Sequence, residues 1–374
     1  MINPQGGAGR QDEMEMTDLY SILKYYEVIL EEDRVSEECK NIVKVFGVGG
    51  AGSNMITLLK RMGVQGAELI AVNTDSRHLD LTHADKKILI GYNITGGRGV
   101  GGDPELGEKC AREDIRKIID AIGDAELVFV AYGLGGGTGT GAGPVIAEAA
   151  KEKGAIVIGC VTLPFEGEGK WKMDIALKGL KKLREHADTV AAISNERLNQ
   201  VAGHLTLIKA LEVGTLILAL MVKGVTELVT KPALMNIDLA DLRALMSRGG
   251  MAAVCVGYAE GNNRCLEALR MALKNPLLEV DPTGANGALI VVRGGSDLTL
   301  SEIRRVTEQI ASKMVGEANL KWGADINKNL EGKVKILVVL TGIKLKTPGT
   351  NVTTIGPEEE ESKRIEEILP TIEI

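Results

Sequence analysis

Residues 133–143 read GLGGGTGTGAG, seven glycines in eleven positions, broken only by Leu134, Thr138, Thr140 and Ala142. Glycine is costly to order and brings no side chain to a core, so such a run needs a reason. Two further glycine-rich stretches accompany it, GVGGAGSN (47–54) and GGRGVGGDPE (96–105). Each follows or lies between segments that read as strands. Backbone N–H groups approach phosphate oxygens closely only where no Cβ intrudes, and a following helix N-terminus adds a favourable dipole. The glycines therefore predict a phosphate cradle, to which the Thr138 and Thr140 hydroxyls can add donors.

The surroundings of that run predict the fold class. IVKVFGV, AELIAVNTD, ELVFVAY and AIVIGCVTLP are short, continuous apolar strands separated by helical stretches. That alternation means a parallel sheet covered on both faces, which binds ligands at the carboxyl ends of its strands. A long helix over about 206–230 follows and ends at Lys231-Pro232, as proline requires. A second, smaller α/β unit then runs from MAAVCVGYAEG through CLEALRMALKN, GALIVVRGG, LSEIRRVTEQIASKMV and ANLKWGADI to KVKILVVLTGI. The resulting division is an N-terminal extension with one amphipathic helix (1–40), a Rossmann-like nucleotide-binding domain (41–205), the central helix and an acidic loop (206–249), a C-terminal α/β domain (250–343) and a charged tail (344–374).

Composition removes several function classes. The 374 residues carry a net charge of −7, and aromatics are 3%, which argues against a nucleic-acid footprint or base-stacking platforms. Five scattered cysteines form no C-x-x-C pair and cluster with none of the four histidines, so neither a zinc site nor a disulfide framework is expected. No metal-ligating residues are assigned. The N-terminus has no signal-peptide pattern, and LILALMV (216–222) is short of a membrane span, so it reads as a buried core helix in a cytoplasmic protein without membrane insertion.

Gly47-x-Gly49-x-x-Gly52 alone matches the dinucleotide fingerprint, with Asp75 as the ribose-binding acid. An NAD-dependent oxidoreductase is thus one reading, but it needs one pyrophosphate loop, not three. No G-x-x-x-x-G-K-[ST] occurs, so a P-loop NTPase is excluded and charge in the cradle falls to amide dipoles and Mg²⁺.

GGGTGTG (135–141) is the signature of the tubulin/FtsZ superfamily, and the chain resembles FtsZ from about residue 41 to 343. GVGGAGSN, AVNTD (71–75), GDPE (102–105), KPALMNIDLADLRALM (231–246) and TGI (341–343) carry the likeness. DPTGANGALIVV, LTLSEIRR and WGADINKNLEGKVKILVVLTGI resemble archaeal more than bacterial forms. The resemblance implies a GTP/GDP-binding GTPase that assembles head to tail into filaments, with nucleotide between subunits. It implies phosphate contacts from the amides of Gly49, Gly50 and Ala51, of Val100 and Gly101, and of Gly136, Gly137, Thr138 and Gly139, with Gly135 and Thr140 beside them in the nucleotide site. Glu168 would meet the ribose. A role in cell division or cell shape is implied as well, with the tail as the contact for another FtsZ or for membrane-anchoring and division proteins.

Asp238 and Asp241, three apart at the start of a helix, are nearly a capping box on residue grounds alone. By resemblance they are the acidic loop that, with Asn236, reaches the nucleotide of the neighbouring subunit. The base pocket departs from the family pattern. Leu211 stands where a stacking phenylalanine is usual, and Thr215 where a carboxylate or amide pairs with guanine. Asn54 and Asn195 remain as candidate base contacts. Loss of a hydrogen bond to a charged partner costs roughly 1.5–3 kcal/mol, so guanine selectivity is expected to be reduced. Lys172 replaces the usual arginine, keeping charge without the bidentate fork. The altered pocket leaves open a second reading, a filament scaffold or regulator of another FtsZ that binds nucleotide and hydrolyses it poorly.

Overall fold

The computed structural model describes residues 42–196, 198, 206–230, 238–246, 251–274, 285–314 and 319–343. The expected N-terminal helix, Asn236 and the charged tail lie outside them. Strand β1 (Val43–Val48) leads into helix α1 (Gly49–Arg61), and β2 (Ala67–Asn73) into α2 (Ser76–Leu81). An edge strand β3 (Lys86–Leu89) and a single turn α3 (Tyr92–Thr95) precede α4 (Pro104–Glu113) and α5 (Ile115–Ile122). Then come β4 (Leu127–Gly133), α6 (Gly137–Glu152), β5 (Ile156–Leu163), α7 (Lys170–His186) and β6 (Thr189–Ser194). The long helix α8 (Leu207–Thr230) and α9 (Leu239–Met246) connect to β7 (Met251–Glu260), α10 (Arg264–Leu273), β8 (Gly287–Gly294), α11 (Leu300–Ala311), β9 (Asn319–Ile326) and β10 (Lys333–Ile343).

The strands form a sheet in the order β3-β2-β1-β4-β5-β6-β7-β10-β8-β9. β1 to β6 are parallel; β10 runs antiparallel to both β7 and β8. A single residue pair, Val190 with Met251, joins the two regions. The central parallel strands β1, β2 and β4 are buried along nearly their whole length, as strands covered by helices on both faces must be. One core lies between the sheet and α1, α8 and α9, the other between the sheet and α4, α5 and α6.

The tertiary structure sets three details of these elements. The helical stretch after GDPE is two helices, broken at Asp114, whose carboxylate accepts from the Gly91 amide at 2.8 Å. Helix α6 starts at Gly137, well before Pro144, because packing overrides the poor helix propensity of glycine. The apolar run in α8 is longer than expected: Leu211–Thr230 is long and apolar enough to cross a membrane. It is nonetheless mostly buried within the fold, and its buried charges are paired there, Lys223 with Glu227 and Glu227 with Arg293 of β8. It is a core helix, as the residues suggested.

Candidate functional site

At the carboxyl ends of β1, β4 and β5 lies a cleft of about 410 Å³, lined by Gly49, Gly50, Ala51, Gly136, Gly137, Thr138, Gly139, Glu168, Lys172, Asn195 and Leu211 among the expected residues. Such a volume lies within the range of small-molecule sites. Two helices begin at it. α1 and α6 have no side-chain cap and no acidic residue in the first turn. α2 and α4, which also begin beside the glycine loops, are capped: Asp75 accepts from the amides of Arg77 and His78, Asp103 from those of Glu105 and Leu106. Uncapped helix N-termini leave orphan amides, and these two present theirs to one cleft, the arrangement an anion requires.

The glycines of the opening stretch divide into two groups by role. A Cβ on Gly141 would meet the Pro104 carbonyl oxygen at 2.1 Å, and one on Gly143 the Tyr132 ring at 2.2 Å. These glycines let α6 press against α4 and β4 and do not reach the cleft. Gly135 sits at φ +87 and Gly136 has open space where a Cβ would be, so these two shape the mouth. Gly49 (φ +70) abuts the 133–143 loop, its missing Cβ only 3.1 Å from the Gly139 nitrogen. The 96–105 loop is stapled to the end of β2 by Gly99 N–H to Thr74 O (3.0 Å) and Ser76 N–H to Gly97 O (3.0 Å). Its inner end abuts the first turn of α6: a Cβ on Gly137 would lie 2.5 Å from Val100 Cγ2.

Several expected residues lie elsewhere. Thr140 is buried and its hydroxyl accepts from the Gly135 amide at 3.0 Å, because two residues on a helix point to different sides. Thr138 instead faces the cleft and shares a 2.7 Å hydroxyl contact with Thr74. Asp75 is engaged as the α2 cap and does not line the cleft, which removes the carboxylate on which the dinucleotide reading depends. Val100 is buried and Gly101 exposed, both outside the lining, and Asn54 is exposed on α1, also outside it. Leu211 lines the cleft and is 41% exposed, whereas the Thr215 hydroxyl is turned back onto the Leu211 carbonyl at 3.0 Å.

Among the described residues, Glu168 is the one carboxylate in the lining, on a 3-10 turn (Glu166–Glu168) that follows β5. It accepts from the Phe165 amide at 2.9 Å and pairs with Lys172, one turn into α7. Burial pushes the Glu168 carboxyl up, but the Lys172 ammonium and the Phe165 amide outweigh it and hold it below the ordinary range. Phe165, Pro164 and Thr162 also line the cleft and were not expected there. The signal existed: of three phenylalanines, Phe46 and Phe129 are fully buried strand residues, and Phe165 alone falls just beyond a strand's carboxyl end.

Asp238 and Asp241 are outside this cleft. Asp238 caps α9, its Oδ1 accepting from the Asp241 amide at 2.7 Å, so the capping geometry read from the residues is present. The Asp241 side chain pairs with Lys321 of β9 at 2.7 Å. No cluster of three or more His, Cys, Asp or Glu able to hold a metal occurs among the described residues. Among the described residues the cleft donors are amides, hydroxyls and one lysine, which fits a Mg²⁺ carried on phosphate oxygens and water, not one caged by protein.

Comparison with known proteins places this architecture. Residues 42–203 match the Tubulin/FtsZ family, GTPase domain, and residues 250–344 the FtsZ family, C-terminal domain. The chain is 46% identical over 315 residues to cell division protein FtsZ 1 of Methanocaldococcus jannaschii, covering 84% of this chain and 86% of that one. It is 48% identical over 311 residues to cell division protein FtsZ 1 of Archaeoglobus fulgidus, covering 83% and 84%. The solved FtsZ dimer of M. jannaschii superposes with a TM-score of 0.75 at 43% identity, covering 89% of this chain and 98% of that one. With the glycine cradle and both domains matched in order, the chain belongs to the tubulin/FtsZ family of GTPases.

Proposed function

We propose that this protein polymerises head to tail and hydrolyses GTP at the contact between successive subunits, serving cell division or cell shape in the cytoplasm. One observation carries the reading: the cradle and the acidic pair are on different surfaces of the same chain. The cleft carboxylate Glu168 is held by Lys172 and Phe165, while Asp238 and Asp241 lie outside the cleft. A carboxylate beside a triphosphate in its own subunit would repel it; one delivered by the next subunit acts only after assembly. Such a heterologous contact does not close, so it produces filaments.

In this reading the amides of Gly49, Gly50 and Ala51 and of Gly136, Gly137, Thr138 and Gly139 hold the phosphates. Glu168 holds the ribose, with Asn195, Phe165 and Leu211 around the base. Asp238 and Asp241, with Asn236, orient and polarise water toward the γ-phosphate of the adjoining subunit. Mg²⁺, when bound, neutralises charge on the phosphate oxygens.

Phosphate release per subunit, from GTP and ATP in parallel across protein concentration, tests this. A rate that rises above a threshold concentration and prefers GTP is expected. A rate flat in concentration overturns the shared site. Negligible release with either nucleotide favours the scaffold reading, to which the Leu211 and Thr215 substitutions in the base pocket lend support.

A further inference from the structure

α9 is anchored on both flanks. Arg243 donates to the Gly154 carbonyl at 3.0 Å, beyond α6, and Asp241 pairs with Lys321 at 2.7 Å, on β9. Alternation along β9 explains the second anchor. Leu320 and Trp322 pack into the core shared with α10 and α11, so Lys321 between them faces the opposite layer, where Leu242, Leu245 and Met246 of α9 are buried. The pair is half-exposed, 41% for Lys321 and 32% for Asp241. The Asp241 carboxylate holds the Lys321 ammonium above its usual value, with Asp238 adding to the effect, so the lysine stays charged at neutral pH.

We propose that Lys321 is a positioning residue for hydrolysis, holding Asp241 in place on the face offered to the next subunit and offsetting one of the two negative charges there. The inference rests on the shared-site reading above. Its physical content is simple. Asp238 and Asp241 together would bring two negative charges toward a triphosphate, and Lys321 reduces that to one. It also restricts the Asp241 rotamers through a charge-assisted hydrogen bond, which narrows where the carboxylate can carry water. The lysine does not itself touch the reacting atoms in this account.

The test compares wild type, Lys321→Met, Lys321→Arg, Asp241→Asn and the Lys321→Met/Asp241→Asn double variant. The readouts are the threshold concentration for GTP hydrolysis and the rate per subunit above it, at low and high salt. Loss of the charge should raise the threshold and lower the rate, each by about two- to fivefold at low salt, the size expected of a partly exposed pair. The threshold difference should shrink at about 0.5 M salt, where surface charges are screened. Lys321→Arg should recover most of both effects, which a packing defect would not allow. In the Asp241→Asn background, Lys321→Met should change nothing further.

Equal further loss in that background overturns the assignment, as does a failure of arginine to recover either readout. A wild-type threshold with Lys321→Met indistinguishable from it overturns the lysine's role alone. A wild-type rate flat in concentration overturns the shared site and this inference with it. If Lys321→Met does not fold, Lys321→Gln, which keeps a long polar chain at the same half-exposed position, takes its place in the cycle.

Discussion

The Thr74 and Thr138 hydroxyls are 2.7 Å apart, joining the end of β2 to the first turn of α6 at the inner wall of the cleft. Thr74 is fully buried and its carbonyl also accepts from the Gly99 amide, so one residue ties the 96–105 and 133–143 glycine loops together. Thr74→Val keeps the shape and removes the hydroxyl. It should destabilise the protein by about 0.5–1.5 kcal/mol and weaken GTP binding by a similar amount. Urea unfolding and titration with a fluorescent GTP analogue check both; unchanged affinity would show that the loops do not depend on this contact.

The division of the glycines predicts opposite phenotypes within one motif. Gly141→Ala and Gly143→Ala force a methyl into backbone or ring atoms 2.1–2.2 Å away and should cost about 1–3 kcal/mol of stability. Gly136→Ala meets nothing within 4 Å and should leave the unfolding midpoint nearly unchanged while lowering GTP affinity, since its methyl occupies the cradle. Thermal melts of the three variants without nucleotide, set beside their nucleotide affinities, separate the two groups.

A buried charge network joins α8 to β8. Lys223 and Glu227 are almost fully buried, Lys223 donates to the Met62 carbonyl at 3.1 Å, and Glu227 pairs with Arg293 at 3.0 Å. Glu227→Ala would remove the carboxylate that Lys223 pairs with and leave Arg293 its longer contact with Asp325, at 3.5 Å. The expected cost is about 3–5 kcal/mol, as for breaking a buried pair from one side. Glu227→Gln, which keeps hydrogen bonds, should cost less. Denaturant unfolding measures both, and a loss under about 1 kcal/mol for Glu227→Ala would mean the network is solvated.

Acid sensitivity should arise in part at Arg264, which bonds Glu302 at 3.0 Å and Asp297 at 2.6 Å. Burial pushes the Glu302 carboxyl up, but Arg264 and the Thr299 cap outweigh it and hold it below its ordinary 4.5. A carboxyl lowered in the folded state contributes stability that is complete above its unfolded value and is lost as pH falls through the folded one. Stability should therefore decline below about pH 4.5. Arg264→Met should flatten that limb while lowering stability at pH 7, read from melting temperature against pH.

Leu211 exposes its side chain in the cleft where an aromatic ring could stack on a base. Leu211→Phe should tighten binding of GTP and ATP alike by about 0.5–1.5 kcal/mol, since stacking does not read base edges. Competition binding of the two nucleotides checks it. A gain confined to GTP would show that the ring also reshapes the edge contacts.

Much of this molecule is legible in its residue order. Continuous apolar strands between helices mean a parallel sheet, and three glycine loops at strand ends mean phosphate, because these follow from local sterics and period. The edge strand β3, with KKIL, gives no such signal, since its pairing with β2 supplies what its composition lacks. The break at Asp114 depends on Gly91, 23 residues away.

The site divides the same way. That glycines 133–143 serve a phosphate cradle follows from residue type. Which of them face the cleft and which let α6 press on α4 and β4 depends on neighbours brought together by the sheet. The same holds for Thr140 turning inward, for Asp75 closing α2, and for Phe165 joining the cleft wall. Asp238 announced its cap locally, three residues from its partner amide. The Asp241 partnership with Lys321 spans eighty positions and two layers, and only the register of β9 against α9 could create it. Period and residue type are written along the chain; contact between distant side chains is decided where the chain folds back on itself.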